Sequence, residues 1–298
     1  MGVRWGIDLG GTKIEGVILP EGSVEPVARL RVPTEAHLGY DHILSQVAKV
    51  VDELQVKSGL ERPNSIGIGT PGVTDPDTGL LKNANTTCLI GQPVQRALSE
   101  RLGCEALLAN DANCFALAEA TLGCAKGYPT VFGVIMGTGV GGGLVVNSQV
   151  LNGRHGIAGE WGHNLLEVNG LPCYCGKTGC VETVLSGPFL TRWYESRSGR
   201  SLPLKEIVEL ARSGQDEVAV ATLDRLIDYV GRALSVVVNI FDPHAIVLGG
   251  GVGNIDELYT RGLESLSTQV FNEGFHGALL KPTLGDSAGV FGAAMLVE

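Results

Sequence analysis

Apolar positions along the chain switch between two periods. Residues 3–9 and 13–19 are dense apolar runs separated by Gly10-Gly11 and read as a β-hairpin, with a third strand at 27–32. Over 40–57 the spacing becomes helical: Ile43, Val47, Val50, Val51 and Leu54 share one face, and Asp41 suits the first-turn dipole. Residues 66–69 read as a short buried strand entering a Pro-, Gly- and Asp-rich loop over 70–91. Helices at 93–102 and 112–122 flank a strand at 105–109. This β-β-β-α-β-α order predicts a mixed sheet flanked by helices.

A second round begins at 131–136, turns through Gly137-Thr138-Gly139 and returns over 142–147. The strand, small-residue turn and strand of the N-terminus thus recur about 130 residues later, which predicts two lobes of like topology. Helices follow at 188–198, 204–213 and 217–241, the last stopped by Asp242-Pro243. A buried strand at 245–248 ends in Gly249-Gly250-Gly251, and a helix at 255–271, a strand at 278–284 and an apolar helix at 287–297 complete the chain. At 298 residues the chain exceeds what one core usually serves, in keeping with two lobes.

Composition narrows the function. A net charge of −10 argues against nucleic acid as a partner. No basic run, signal peptide or bilayer-spanning apolar stretch is evident, so a cytoplasmic protein with no membrane partner is expected. Cys88, Cys104, Cys114 and Cys124 lie scattered in apolar contexts, as reduced core cysteines do.

The remaining cysteines are different. Cys173, Cys175 and Cys180 have the spacing Cys-x-Cys-x4-Cys, with Gly176 and Gly179 allowing a tight turn. With His163 they make a Cys3His set, the closed tetrahedral shell of structural Zn2+. A disulfide is the competing reading, but neighbouring Cys173 and Cys175 pair poorly and three cysteines leave one over. Glu160 precedes His163 by three residues and Glu182 follows Cys180 by two, so a metal here fixes two carboxylates in space.

Asp8-Leu9-Gly10-Gly11-Thr12-Lys13 puts a carboxylate at a strand end before a turn of bare backbone N–H groups suited to phosphate. Gly137-Thr138-Gly139 offers the same chemistry in the second round, and Gly249-Gly250-Gly251 offers flat backbone to an adenine. Each run taken alone is an ordinary tight turn; together they suggest a polyphosphate nucleotide. Asn110-Asp111 lies at a strand end and helix start, where either residue serves as a cap. Asp111 is also suited to accept a hydroxyl proton, and Asn110, Glu160, His163 and Glu182 supply donors and acceptors for a polyol.

The motifs DLGGTK at 8–13, NDAN at 110–113, GTGVGGG at 137–143, GEWGH at 159–163, CYCGKTGC before Glu182, and LGGG at 248–251 resemble the ROK family, in order and over essentially the full chain. The resemblance implies an α/β, two-lobed actin-like ATPase (ribonuclease H-like) fold with a structural zinc site. Its lobes are expected at 1–115 plus 286–298, and at 116–285 with the zinc motif. It implies an ATP-dependent hexokinase with Asp111 as the base and Asp8 helping to hold Mg2+. Gly10, Gly11, Thr12, Lys13, Gly137, Thr138 and Gly139 would cradle ATP, and Gly249, Gly250 and Gly251 would face its adenosine. Asn110, Glu160, His163 and Glu182 would grip the sugar, with Asn85 and the turn ending at Gly72 contributing. His163 would give one ring nitrogen to zinc and the other to a sugar hydroxyl. Both substrates would bind in a cleft between the lobes, and a homodimer is a family expectation.

Residues 82–87 and 91–93 look most similar to the fructokinase/mannokinase branch, so fructose or mannose is the favoured substrate, ahead of glucokinase and N-acylhexosamine kinase readings. The family also contains sugar-responsive repressors; the acidic charge disfavours that reading.

Overall fold

The structure, a computed structural model, describes residues 2–297. The first elements are β1 (Val3–Leu9), β2 (Lys13–Pro20), β3 (Ala28–Pro33), α1 (Tyr40–Ser58), β4 (Ser65–Thr70), β5 (Val73–Thr74), β6 (Leu81–Lys82), α2 (Val94–Leu102), β7 (Glu105–Asn110) and α3 (Asp111–Thr121). Next come β8 (Thr130–Met136), β9 (Val140–Val146), β10 (Gln149–Val150), α4 (Glu182–Leu185), α5 (Gly187–Ser198), α6 (Leu204–Ser213) and α7 (Glu217–Phe241). The chain ends with β11 (Ala245–Gly249), α8 (Gly250–Gly253), α9 (Arg261–Gln269), β12 (Ala278–Leu280) and α10 (Ala288–Ala294).

Among the described residues the strands form two five-stranded sheets and a small β5–β6 hairpin. The first sheet has the order β3-β2-β1-β4-β7 and the second β10-β9-β8-β11-β12. In chain order both follow one scheme, third-second-first-fourth-fifth, so the recurrence expected from sequence is present in the sheets. The first is mixed: β1–β2 and β2–β3 pair antiparallel, β1–β4 and β4–β7 parallel.

Two compact units emerge. One takes the N-terminal residues through Pro129, the segment Gly143–Ala158 and the C-terminal residues from Thr283; the other takes Thr130–Gly142 and Gly159–Pro282. These dividing lines differ from the expected breaks after residue 115 and before 286. The reason is local: α3 packs along α10 and stays whole within the first unit.

In the first unit α1 covers the sheet with Ile43, Val47, Val50, Val51 and Leu54, the face its periodicity predicts. α10 packs against β1, β4 and α3, and glycine governs how closely. Gly6 and Gly67 are register partners on β1 and β4. A Cβ at Gly6 would come within 2.5 Å of the Val290 carbonyl and the Ala294 nitrogen, and one at Gly67 would collide with the Ala293 carbonyl. The pair makes a bare patch on which the helix backbone rests. Gly292 makes the equivalent approach to the Cys114 carbonyl of α3.

Several elements differ from the sequence reading. The helix expected over 255–271 is broken into a 3-10 turn, Asp256–Tyr259, and α9. Thr260 sits at φ −116° and ψ −83°, and the Tyr259 hydroxyl reaches the carbonyls of Leu248 (3.1 Å) and Gly253 (2.7 Å). Tertiary anchoring here overrides local helical preference. The last strand ends at Leu280, two residues before Pro282, which has no N–H for a ladder. Gly250–Gly253, read as part of a turn, winds into one helical turn.

Glu119 on α3 is fully buried and was not singled out by sequence. Its carboxylate accepts from the backbone of Cys124 (3.0 Å), Thr283 (3.1 Å) and Leu284 (3.0 Å), and from the Thr283 hydroxyl (3.3 Å). It ties the start of the segment leading into α10 to the end of α3. Glu119→Ala would leave buried donors without an acceptor. We expect a loss of about 3 kcal/mol in urea denaturation; an unchanged midpoint would refute this role.

Candidate active site

In the first unit the parallel strands bring several candidates to one edge. Asp8 is in register with Gly69, Gly69 with Ala109, and Thr70 with Asn110. The strand ends therefore present Asp8, the 69–72 turn and Asn110-Asp111 side by side. Gly72 has φ +86°, and a Cβ there would come within 2.5 Å of the Lys82 carbonyl, so this turn packs directly on β6. Asn85 is exposed just beyond β6.

Of the two residues foreseen as a helix cap, Asn110 takes that place: its side chain accepts from Asn113 N at 2.8 Å. Asp111 Oδ1 accepts from Ala112 N at 2.8 Å while the residue stays solvent-accessible. Crowding by surrounding protein raises its carboxyl above the ordinary range, opposed by the backbone N–H groups of Ala112 and Asp111 itself. Asp111 is thus a reachable carboxylate set deep enough to hold a proton more tightly than usual.

Asp8 is pushed up to about 6, first by burial, then by the charges of Asp111 and Glu15, with Lys13 and Arg31 opposing. Glu15 is itself buried, paired with Arg29 and with Arg31 at 2.7 Å, and lies 3.8 Å from Lys13. The neighbouring 10–13 turn is closed by Gly10 N donating to Lys13 O at 3.0 Å. Thr34 buttresses it, its hydroxyl donating to Gly10 O at 2.6 Å and its N–H to Thr12 O at 3.0 Å. Gly11, Thr12 and Lys13 are exposed.

In the second unit Gly137–Gly139 and Gly249–Gly251 come together because β8 and β11 are adjacent and parallel, with Gly249 opposite Ile135. Gly250 has φ +79°, and a Cβ there would strike the Met136 backbone; one at Gly251 would meet open space. The 137–139 turn closes through Gly137 N to Gly139 O at 2.9 Å, and Gly187 N at the start of α5 donates to Gly137 O at 2.9 Å.

Glu160 precedes a 3-10 turn, Trp161–His163, that ends on His163. Trp161 is buried edge-on against Phe132, with centroids 5.6 Å apart, and Gly162 is close enough to the Val140 carbonyl to exclude any side chain. Glu182 is buried, and Val140 N donates to its Oε2 at 3.0 Å. Its Oε1 lies 3.9 Å from Cys173 Sγ. Glu182 therefore joins the 137–140 loop to the cysteine cluster.

The ligand atoms of His163, Cys173, Cys175 and Cys180 all lie within 4.8 Å of one another. Cys175 and Cys180 Sγ are 3.7 Å apart and not bonded, and Cys173 Sγ is 3.6 Å from His163 Nδ1. Tetrahedral Zn2+ with Zn–S of about 2.3 Å requires such edges to be about 3.5–3.8 Å. The disulfide reading fails on these distances, and the donor set fits Zn2+. Burial raises Cys180 to about 12 and Cys173 in the same direction, so a cation is what would make thiolates of them. The second ring nitrogen of His163, expected to face a sugar hydroxyl, is 3.1 Å from the Tyr174 hydroxyl.

The Asp8 environment predicts a pH-dependent effect on stability. Its folded carboxyl sits at about 6 against a reference of 3.8, so the proton binds more tightly in the folded state. The associated stability is present below pH 4 and lost as pH rises through about 6. Asp8→Asn removes that loss. Calorimetry without Mg2+ should show it more stable than wild type at pH 7.5 by about 2 kcal/mol, and nearly equal at pH 4. A variant less stable at pH 7.5 would contradict this environment.

Comparison with known proteins now identifies the family. The model of the ROK family matches residues 4–298. The N-acetyl-D-glucosamine kinase of Pectobacterium atrosepticum is 38% identical over 303 residues, covering 98% of each chain. The crystal structure of a ROK hexokinase from Thermus thermophilus superposes with a TM-score of 0.89 at 34% identity, covering 99% of this chain and 97% of that one. A ROK glucokinase from Streptomyces griseus, solved with glucose and AMPPNP, gives 0.78 at 29% identity and covers 99% of both. The fructokinase likeness of residues 82–87 and 91–93 does not extend to the full-length relative, which is an N-acetyl-D-glucosamine kinase; two short loops carry less weight than the whole chain. By its motifs, its two-sheet topology and these full-length matches, the chain belongs to the ROK family.

Proposed function

We propose that the protein is an ATP-dependent sugar kinase that phosphorylates the terminal hydroxyl of N-acetyl-D-glucosamine. The observation that carries the chemistry is the meeting of Asp8 and Asp111 at one sheet edge, each with a raised carboxyl pKa. The full-length similarity to an N-acetyl-D-glucosamine kinase supports the choice of sugar.

Phosphoryl transfer requires positioning and charge stabilisation more than covalent chemistry. Asp111 orients the attacking hydroxyl and accepts its proton, and its raised pKa makes it a better base than an ordinary surface aspartate. Asp8 offers oxygen ligands of the kind Mg2+ takes, and bound Mg2+ would neutralise charge on the phosphate oxygens. Gly10, Gly11, Thr12 and Lys13 would hold phosphates with backbone N–H groups and one ammonium, and Gly137, Thr138 and Gly139 offer backbone N–H groups of the same kind. Gly249, Gly250 and Gly251 face the adenosine. Asn85, Asn110, Glu160, His163, Glu182 and the turn at Gly72 bind the sugar, and structural Zn2+ on His163, Cys173, Cys175 and Cys180 sets the last of these carboxylates. Glucose is the second reading, favoured by the likeness to the Streptomyces griseus glucokinase.

ADP release from Mg·ATP, measured against N-acetylglucosamine, N-acetylmannosamine, glucose, mannose and fructose, tests the assignment. N-acetylglucosamine should give the highest kcat/KM, and Asp111→Asn should lower kcat by about 10³-fold with sugar affinity largely kept. A preference for fructose would overturn the substrate, and comparable turnover by Asp111→Asn would overturn the base.

A further inference from the structure

Residues 164–167 and 179–181 run side by side as a short antiparallel ribbon. Leu165 and Cys180 are bridge partners, Val181 N donates to Asn164 O at 3.0 Å, and Gly179 O accepts from Leu166 N (2.8 Å) and Glu167 N (3.0 Å). Gly179 has φ +69°, and a Cβ there would collide with the Glu167 carbonyl, so the segments meet backbone to backbone. Cluster ligands stand on both segments. His163 immediately precedes Asn164, and Cys180 lies in the facing segment with its Sγ 3.7 Å from the His163 carbonyl.

One side chain fastens this ribbon to α7. Glu167 Oε1 accepts from Arg225 Nη2 at 2.8 Å and from the Tyr229 hydroxyl at 3.1 Å. Arg225 and Tyr229 lie one turn apart on α7. The guanidinium stacks over the Tyr229 ring, 4.3 Å from its centroid, with Trp193 of α5 at 5.5 Å. The ion pair is largely withdrawn from water, with the Arg225 side chain 16% exposed and that of Glu167 26%. A charge-assisted bond shielded in this way keeps its geometry better than a surface ion pair does.

We propose that Glu167 is a positioning residue for zinc: by tying the ribbon to α7 it holds His163 and Cys180 in place and slows loss of the metal. The inference rests on the zinc reading of the cluster. Zinc leaves a four-ligand shell one bond at a time, and a ligand on an anchored backbone re-forms its bond before the next one opens. With the ribbon fastened, two of the four ligands keep their places through such openings. Removing the Glu167 carboxylate takes away this tie and leaves Arg225 without its anion. His163 is also proposed above to meet the sugar, so α7 acts on the substrate site through the same contact.

The test loads wild type, Glu167→Ala, Arg225→Ala and the double variant with zinc, and follows its release to a chromogenic chelator at pH 7.5. Each single variant should release zinc about 10-fold faster than wild type. The double variant should be no faster than the singles, because all three remove one tie. Arg225→Lys, which keeps the cation, should release at an intermediate rate. Glu119→Ala, weakened in the first unit, should release zinc at the wild-type rate. Wild-type rates in both single variants, effects that multiply in the double variant, or equal acceleration by Glu119→Ala would overturn the proposal while leaving the zinc site intact. A wild type that takes up no zinc would overturn both.

Discussion

The second unit depends on the carboxylate of Glu182. It is buried, one oxygen takes the Val140 N–H, and the other lies against Cys173. A buried carboxylate without partners is costly, so these contacts fix it firmly. Gly139 must lack a side chain for this to happen, since a Cβ there would come within 2.6 Å of Oε2. The phosphate-type loop and the cysteine cluster are thus one assembly, and the start of α5 joins it through Gly187. A structural metal at the cluster would hold His163 in place and, through Cys173, steady Glu182.

The first unit positions its groups by close backbone packing. The paired glycines Gly6 and Gly67 let the α10 backbone rest on the sheet, and Gly292 brings α3 against α10. α3 starts at Asp111, and α10 brings Gly289 against the Asp8 carboxylate. Close backbone packing therefore sets the two acidic groups whose proton affinities are raised. Glu119 secures the far end of α3 to the segment that leads into α10.

Much of this was legible in the sequence because long periodic segments and glycine turns report directly on local structure. The two hairpins, α1 and α7 appear where periodicity puts them, and the cysteine spacing anticipates a four-ligand cluster. The failures have physical causes. β5, β6 and α4 are too short for a period to register, and the break at Thr260 is enforced by Tyr259 reaching distant carbonyls. Glu119 resembles any helix glutamate until Thr283 and Leu284, more than 160 residues away in sequence, are in place as donors. Tyr174 beside His163 is likewise a product of the folded turn. Sugar preference is the least legible property, because the fructokinase likeness covers only two short loops whereas the N-acetyl-D-glucosamine kinase likeness covers the full chain.

The most direct test of the metal's role is to strip zinc with a chelator and titrate N-acetylglucosamine and Mg·AMPPNP separately by calorimetry, before and after restoring zinc. If the cluster sets Glu182 and His163, zinc-free protein should bind the sugar at least about 10-fold more weakly, with nucleotide affinity less affected and both recovered on adding zinc. Equal sugar affinity with and without zinc would contradict the account.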